Sequence, residues 1–496
     1  MISAITELIT ALFKVLGEVF SLLFDLFSKD HKLKASFASE RSILKKQNTG
    51  FRITGRKALS RHLSYRNCLV SGVTGRGKTS ISIIPSILKL NCSQVIHDPS
   101  GELFEKTAGA LKEQEYLIVQ INFNKATGHF FNPFLRAKTK AEINQLATLL
   151  AQGDEKRKGD AFFEQKAIEL LSTFIRILKT QETTYQNGYN LSYLLDLYQA
   201  KDPKIDELFA EFADESLHTK FLSFVGTPDK TLGSIVASAQ AYLQIFSLDE
   251  TVAYITSKDT INIDLRSQKT ALFIHSSIPR MKYYANISSI FIEQLFAEVF
   301  KELPKKEDQD IFFILDEAPI LKLNLDVYCS NIRKYRGGIM IITQDAKSQL
   351  RTQYGAERAQ TIISNCYTRM YMGAEMESAL ELERILGNYE YADKKNKLVL
   401  HKRCLRSVDE ILSMNERNAL IISSGKKPVK AKLRPYYKIP KLRKLTEIEY
   451  ETTDGVETVI EVPLLPFQSN VEPSILPLET EDPTMPNKNN NPLNLE

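Results

Sequence analysis

Short apolar runs rich in β-branched residues recur along this chain and alternate with amphipathic helical patterns. Several runs are apolar at consecutive positions and end at Gly, Asp or Ser, which is typical of strands buried on both faces of a parallel sheet. The predicted strands span residues 67–70, 94–97, 116–121, 270–275, 311–315, 338–343 and 419–423. Because helical patterns lie between them, the main body is predicted to be α/β with a mainly parallel sheet.

Residues 139–247 interrupt this alternation with helical periodicity throughout. Thr139 and Glu142 form the capping box that starts the first helix, and Asn190 and Pro228 begin later ones. A segment of about 110 residues has the size of a small domain. We therefore expect an all-α domain inserted into an α/β domain built from residues 31–138 and 248–445.

Both ends of the chain differ from the body. Residues 2–27 are mostly apolar, but Glu7, Lys14, Glu18 and Asp25 form a narrow stripe on one helical face. Charges near the centre of a spanning helix cost about 2.5–3.5 kcal/mol each, so residues 1–30 are predicted to form an amphipathic helix lying on an anionic membrane surface. Docking on a membrane partner's helix or on the protein's own core remains an alternative. The acidic, proline-rich residues 446–496 are expected to be largely disordered.

Composition excludes several classes of protein. With 43% hydrophobic and 25% charged residues and a mean hydropathy of −0.22, the chain is neither collagen-like nor wholly disordered nor a multi-span membrane protein. None of the five cysteines forms a CxxC pair, so neither a structural zinc site nor a disulfide framework is expected. Residues 446–496 carry eleven acids and one base, a charge of −10. Because the whole chain has a net charge of +5, the first 445 residues carry +15. This split indicates either a polyanionic partner or a solvated surface with a solubilising tail.

The strongest chemical signal is a complete GxxxxGK[ST] motif between a predicted strand and a helical run at 80–90. Its glycines let backbone N–H groups surround phosphates, Lys78 is placed to neutralise the β- and γ-phosphates, and the Thr79 hydroxyl is placed to bind Mg²⁺. The predicted ATP-binding residues are Gly72, Val73, Thr74, Gly75, Arg76, Gly77, Lys78, Thr79 and Ser80.

Polar residues at two later strand ends complete the candidate site. Asp316 suits the Mg²⁺ position and Glu317 suits a base that activates water, although an acidic helix start would look the same. Gln344, at the end of the next strand, is a candidate sensor of the γ-phosphate. Arg333 could reach the ATP of a neighbouring subunit or only satisfy a helix end, and for Arg336 we favour the second role.

An ordered set of segments over residues 50 to 440 resembles the type IV coupling proteins, the TraG/TraD-type ATPases of bacterial conjugation and type IV secretion. Besides the P-loop and the strand-end residues, the set includes a basic segment around Tyr436 and Tyr437 that resembles the family's closing strand. The further segments are Asp98-Pro-Ser-Gly-Glu102-Leu, Phe131-Asn132-Pro133-Phe134, Thr231-Leu-Gly-Ser-Ile235, Arg333-Lys-Tyr-Arg-Gly-Gly338 and Gln349-Leu-Arg-Thr-Gln-Tyr354-Gly355.

The resemblance implies a RecA-like P-loop domain carrying an all-α domain that chooses substrates. It implies hexameric rings that use ATP and Mg²⁺ to recruit a relaxase bound to single-stranded DNA, as part of the relaxosome, and to deliver it to a type IV secretion channel. Lys78 and Thr79 would bind ATP and Mg²⁺, Asp316 and Glu317 would be the Walker B pair, Gln344 the sensor and Arg333 a candidate arginine acting in trans.

Two departures from the family pattern are visible. Ser100 stands where the family has a lysine in a DxKGEL segment, and only residues 2–27 stand where the family has two transmembrane helices and a small periplasmic domain. The chain resembles the shorter members, so we expect it in the bacterial cytoplasm, peripheral at the cytoplasmic face of the inner membrane. Two other hypotheses stay open: a hexameric DNA pump or protein-only secretion ATPase, and a nucleotide-gated docking adaptor with low turnover.

Overall fold

The computed structural model describes residue 18 and residues 34–152, 161–261, 264–393, 396, 399–451 and 460–467. The prediction of an amphipathic helix over residues 1–30 therefore lies almost wholly outside the described residues, as does most of the tail. Within the described part of the chain, no helix is long and apolar enough to cross a bilayer.

Among the described residues, nine strands form one sheet, in the order β11-β10-β7-β1-β6-β5-β2-β4-β3. The seven strands from β7 to β3 are parallel to their neighbours, whereas β10 is antiparallel to both β7 and β11. Two further strands, β8 and β9, form a separate hairpin. The strands are β1 Cys68–Ser71, β2 Ser93–Asp98, β3 Leu117–Asn122, β4 Thr270–His275, β5 Ile311–Leu315, β6 Gly337–Thr343, β7 Thr368–Tyr371, β8 Asn388–Ala392, β9 Leu400–Cys404, β10 Asn418–Ser423 and β11 Val429–Lys432.

All seven predicted strands form, and the predicted parallel α/β sheet is confirmed. Among the remaining strands, β7, β8 and β9 were not predicted. Strand β7 is only four residues long and carries a charged Arg369, so its own sequence lacks the apolar run that marked the others. It is a strand because β1 and β10 pair with its two edges.

Helices cover both faces of the sheet and build the inserted domain. The longer helices outside the insert are Glu102–Glu113, Met281–Val299, Leu325–Asn331, Ala346–Tyr354, Ala356–Asn365, Met376–Leu386 and Pro440–Thr446. The shorter ones are Arg61–Ser64, Ile84–Ile87, Pro133–Arg136 and Val408–Leu412. The insert is built from Lys140–Ala151, Ala161–Leu178, Gly188–Gln199, Pro203–Phe212, Glu215–Val225, Asp229–Leu248 and Glu250–Ile255, so its helices continue eight residues beyond the boundary we expected.

The helix after the P-loop differs from the single helix expected over 80–90. It begins as a π-helical turn, Thr79–Ile83, and continues as the α-helix Ile84–Ile87. Pro85 lies at the start of the second part and has no N–H with which to continue the α-helical bonds of the preceding turn. π-helical turns are rare, and they frequently lie at functional sites.

Asn132 ties the inserted domain to the sheet domain. Its fully buried side-chain nitrogen donates to the carbonyls of Gln186 and Ser257, at 2.9 and 3.3 Å, and its oxygen accepts the N–H groups of Phe134 and Leu135. One side chain therefore joins the chain entering the insert, a loop within it and the chain leaving it. This role explains the Phe131-Asn132-Pro133-Phe134 segment.

The position of the expected closing strand needs correction, and a short segment of the tail is described. The closing strand is Val429–Lys432, whereas Tyr436–Lys438 forms a 3-10 turn beside the core because Pro435 precedes it and cannot donate a ladder hydrogen bond. Within the tail that we expected to be largely disordered, residues 460–467 contact the inserted domain and bury Val462 and Leu465. This segment is apolar apart from Glu461, so it has apolar surface to bury against the inserted domain.

Candidate functional site

The candidate site lies where four neighbouring parallel strands end. In the sheet order β1-β6-β5-β2, the residues that close or follow these strands are Gly72, Gln344, Asp316 and Asp98. Loops at the carboxyl ends of parallel strands meet at one edge, which is where open α/β sheets bind ligands. The fold therefore brings together segments that lie more than 200 residues apart in sequence.

The P-loop follows β1 and takes the backbone shape that its glycines permit. Gly75 and Gly77 have φ values of 81° and 77°, in the left-handed region that side chains with a Cβ disfavour. A Cβ at Gly75 would meet nothing within 4 Å, so the loop is open on that side. This open concavity, followed by a helix N-terminus, has the form of a phosphate-binding site.

Lys78 lies inside this loop and spans it. Its ammonium donates to the carbonyl oxygen of Gly72 at 2.6 Å. Burial lowers the pKa of Lys78, while the carboxylates of Glu317 and Asp316 act in the opposite direction. The lysine is thus a partly desolvated cation held at the acidic strand end, a position from which it can exchange a carbonyl for phosphate oxygens.

The other P-loop side chains have distinct roles. Thr74 Oγ1 donates to the side-chain oxygen of Gln344 at 3.2 Å, and Ser80 Oγ donates to the Gly77 carbonyl. Arg76 donates to the carbonyl of Met414 at 3.0 Å, so it connects the loop to the chain before β10. The Arg76 side chain therefore makes a structural contact outside the P-loop edge.

Asp316 and Glu317 follow β5 on a strained backbone. Glu317 has a φ of 49°, unusual for a residue with a side chain, and its N–H donates to Asp316 Oδ1 at 3.1 Å. Burial and the nearby carboxylates of Glu317 and Asp98 raise the pKa of Asp316 to about 7. Clustered carboxylates without a full complement of cations are typical of a place that receives one.

The neighbouring strand β2 supports this acidic edge. His97 Nδ1 lies 2.6 Å from the backbone oxygen of Asp316, and burial lowers the pKa of His97 to about 4. The imidazole is therefore neutral at pH 7, and Nδ1 carries its proton toward that oxygen. The carboxylate of Asp98 accepts the N–H groups of Gly101 and Phe104 and so caps the helix Glu102–Glu113, while burial raises its pKa to about 6. Ser100, in the position of the family's lysine, donates to Asp98.

Gln349 is a site residue that the sequence did not single out for a role. Its side-chain oxygen accepts the N–H of Gln344 at 2.9 Å, that of Asp345 at 3.3 Å, and the Thr343 hydroxyl. Its nitrogen donates to Glu317 Oε1 at 3.3 Å. The sequence did offer a clue to Gln349, because it follows Gln344 at the end of β6 by five residues and begins a segment that carried the family resemblance.

Arg333 and Arg336 lie at the opposite edge of the sheet, before β6 begins. Arg333 is exposed, and the seven residues of β6 separate it from the P-loop edge by about 20 Å. Arg336 pairs with Asp310 at 2.8 Å and donates to the carbonyls of Lys305 and Asp308. Arg336 thus has a structural role, although its partners lie in the loop before β5 and not at a helix end. Arg333 does not join the site of its own chain.

Comparison with solved structures identifies the fold. Structures of the plasmid coupling protein TrwB superpose with a TM-score of 0.56. The complex with the non-hydrolysable GTP analogue GDPNP is 17% identical and covers 80% of this chain and 92% of that one. The complex with ADP and Mg²⁺ is 16% identical and covers 81% and 94%. The chain therefore has the RecA-like P-loop fold of a coupling protein.

Sequence comparison identifies the family. The chain is 24% identical over 409 residues to protein VirD4 of Rhizobium radiobacter, covering 76% of this chain and 58% of that protein. It is 25% identical over 362 residues to the conjugal transfer protein TraG of Escherichia coli, covering 66% and 56%. The chain thus spans less than two thirds of the length of these relatives. The sequence model described as type IV secretory system conjugative DNA transfer matches residues 27–457, and the chain belongs to that family.

Proposed function

We propose that this protein is an ATP-driven coupling motor that recruits a relaxase bound to single-stranded DNA and delivers it to a type IV secretion channel. The observation that carries the proposal is the convergence of Lys78, Asp316, Glu317 and Gln344 at one edge of the sheet. An adaptor that only docks a cargo does not need a carboxylate beside a hydrogen-bonded sensor, so this arrangement favours turnover over the adaptor hypothesis.

The residues of the P-loop edge fit Mg²⁺ and ATP. Lys78 and the P-loop N–H groups would hold the phosphates, and Thr79 with Asp316 would hold Mg²⁺, which neutralises charge on the transferred phosphoryl group. Lys78 already occupies the loop while bonded to a carbonyl, and burial together with the carboxylates of Glu317 and Asp98 raises the pKa of Asp316 although Lys78 acts in the opposite direction. Both features favour a site built for a charged ligand.

Glu317 is the proposed general base. It accepts hydrogen bonds from Gln344 and Gln349, at 3.4 and 3.3 Å, so its carboxylate is held at a fixed place beside the P-loop. Glu317 would take a proton from the attacking water while the two amides keep it oriented. Gln344 also accepts from Thr74 of the P-loop, so it is placed to respond to phosphate in that loop.

Assembly into a homo-hexamer is part of the proposal. Arg333 is exposed and lies far from the site of its own chain, so it can contribute to ATP turnover only at a neighbour's site. The basic body, with a balance of +15 over residues 1–445, suits sequence-independent contacts to DNA phosphates. Contact with the membrane surface through residues 2–27 remains a prediction.

Transfer assays with Lys78→Ala test this function. In cells carrying the complete transfer system, the variant should lose DNA transfer, and the purified variant should lose ATP turnover stimulated by single-stranded DNA. Lys112→Ala, which removes an exposed lysine at the end of the helix Glu102–Glu113, is the matched control and should retain both. Normal transfer with Lys78→Ala would contradict the motor, and turnover without binding to a relaxase would contradict the proposed cargo.

A further inference from the structure

The end of the described chain returns to the inserted domain and contacts its helix Gly188–Gln199. The segment is Ile460-Glu-Val-Pro-Leu-Leu-Pro-Phe467, and it contains no helix or strand of its own. Upstream, Tyr450 packs on Phe104 of the sheet domain, with ring centroids 5.3 Å apart. The tail therefore contacts the sheet domain first and the inserted domain second.

Asn190 holds the backbone of this segment. Its side-chain nitrogen donates to the carbonyl of Pro463 at 3.0 Å, and its side-chain oxygen accepts the N–H of Leu465 at 2.7 Å. The Asn190 side chain is fully buried, and Asn187 Oδ1 accepts a second proton of the same amide at 3.2 Å. A buried amide that is already oriented by a neighbour and pairs with both a carbonyl and an N–H along one side of a backbone is a device for binding peptides in general.

The side chains of the tail segment differ in burial, so the groove selects apolar residues at some positions and not at others. Leu465 is 5% exposed and Val462 is 6% exposed, whereas Leu464 between them is 44% exposed. Leu465 joins the core of the inserted domain. Val462 packs with Ala253 and Tyr254 at the junction between the two domains, against Phe130. The groove thus has two apolar pockets, spaced for residues three positions apart.

The flanking residues suit the same mode of binding. Pro463 and Pro466 restrict φ to values found in extended peptides, which reduces the conformational entropy lost on docking. Phe467 lies 6.2 Å from the ring of Tyr193, and the Lys204 ammonium is 5.8 Å from the Phe467 ring. Phe467, two positions after Leu465, therefore lies beside both the ring of Tyr193 and the ammonium of Lys204.

We propose that the inserted domain carries a peptide-binding groove centred on Asn190, and that residues 460–467 fill it as an internal ligand. The ligand class is an extended, proline-interrupted peptide with apolar side chains three positions apart and an aromatic residue two positions further. This second step rests on the proposed function: a segment of the protein cargo with this pattern displaces the tail from the groove. Because Val462 of the tail lies at the junction between the two domains, its displacement changes that junction when cargo is bound.

A labelled peptide with the sequence of residues 460–467 tests the groove directly. Fluorescence anisotropy would compare its binding to the wild-type chain and to the full chain carrying Leu465→Asp, which removes the internal ligand from its pocket. We expect the variant to bind the peptide at least about tenfold more tightly than wild type. Equal binding to both chains, or binding to neither, would overturn the proposal. If Leu465→Asp reduces folding, Leu465→Ala provides the same comparison.

Changes in the peptide separate specific docking from general stickiness without altering the protein. Leu465→Ala in the peptide should weaken binding by about tenfold or more, whereas Leu464→Ala, which removes an exposed side chain of the same kind, should leave it unchanged. Asn190→Ala in the opened chain should also weaken binding. Equal effects of the two leucine changes would refute the groove. None of these measurements involves nucleotide or DNA, so they stand apart from tests of the motor.

Discussion

The side-chain nitrogen of Gln344 lies 3.4 Å from the carboxylate of Glu317, across the ends of two adjacent strands. The oxygen of the same amide accepts from Thr74 in the P-loop. One side chain therefore links the phosphate-binding loop to the proposed base. Phosphate entering the loop would compete for Thr74 and so alter the orientation of Gln344, which gives the site a direct route from nucleotide state to the position of Glu317.

Replacing Glu317 by Gln should abolish ATP turnover while nucleotide binding persists. The change keeps the size of the side chain and one oxygen that can accept hydrogen bonds, but removes the carboxylate that takes the proton, so we expect a loss of about 10²- to 10⁴-fold in kcat. Steady-state ATP hydrolysis and binding of a fluorescent ATP analogue would measure the two effects. Glu357→Gln, at an exposed position on Ala356–Asn365, is the control. Wild-type turnover by Glu317→Gln would remove it from the mechanism.

Gln349→Ala should reduce kcat by about tenfold and leave KM for ATP nearly unchanged. The substitution removes the acceptor that holds the backbone of Gln344 and Asp345 and one of the two donors to Glu317. Because Gln349 acts by positioning these groups, Gln349→Glu should not rescue the rate, since it restores the acceptor but places a negative charge beside Glu317. A main effect on KM would assign Gln349 to nucleotide binding.

Binding of Mg²⁺ and ATP should weaken as the pH falls through 7. Burial and neighbouring carboxylates raise the pKa of Asp316 to about 7, so below that pH the free protein holds a proton that Mg²⁺ must displace. The affinity should then fall by up to about tenfold per pH unit. Titrations of a fluorescent nucleotide between about pH 6 and 8, with and without Mg²⁺, would measure this. Asp316→Asn should flatten the Mg²⁺-dependent part, and an unchanged slope in that variant would assign the proton elsewhere.

Asn132→Ala should destabilise the attachment of the inserted domain by about 2–4 kcal/mol, because it leaves buried carbonyls of Gln186 and Ser257 without a donor. Urea unfolding followed by circular dichroism would measure the free energy of unfolding. Asn331→Ala, which removes a partly exposed amide bonded to the carbonyl of Val327, should cost less than about 1 kcal/mol. Comparable losses in the two variants would show that Asn132 is not a special anchor.

Much of the sheet domain could be predicted because the patterns that mark its strands and its P-loop each lie within a short stretch of sequence. Buried parallel strands such as β5 carry continuous apolar runs, and the P-loop combines a fixed spacing with a strand before it and a helix after it. The acidic pair after β5 and the glutamine after β6 could be matched to the P-loop because parallel strands place their carboxyl ends together. The π-helical turn after Lys78 was not expected, although Pro85 offered a clue.

By itself, the sequence determined the fold class, the helical insertion and the candidate nucleotide-binding residues, since each depends on periodicity or on a motif within a short window. Only the tertiary structure decided which distant groups meet: Gln349 with Glu317, Asn132 with Ser257, and Asn190 with the backbone of residues 463–465. The local pattern around such amide side chains does not show which distant groups they bond. Their roles follow from buried carbonyls and N–H groups that need partners, and the folded chain supplies those partners from segments up to 275 residues away.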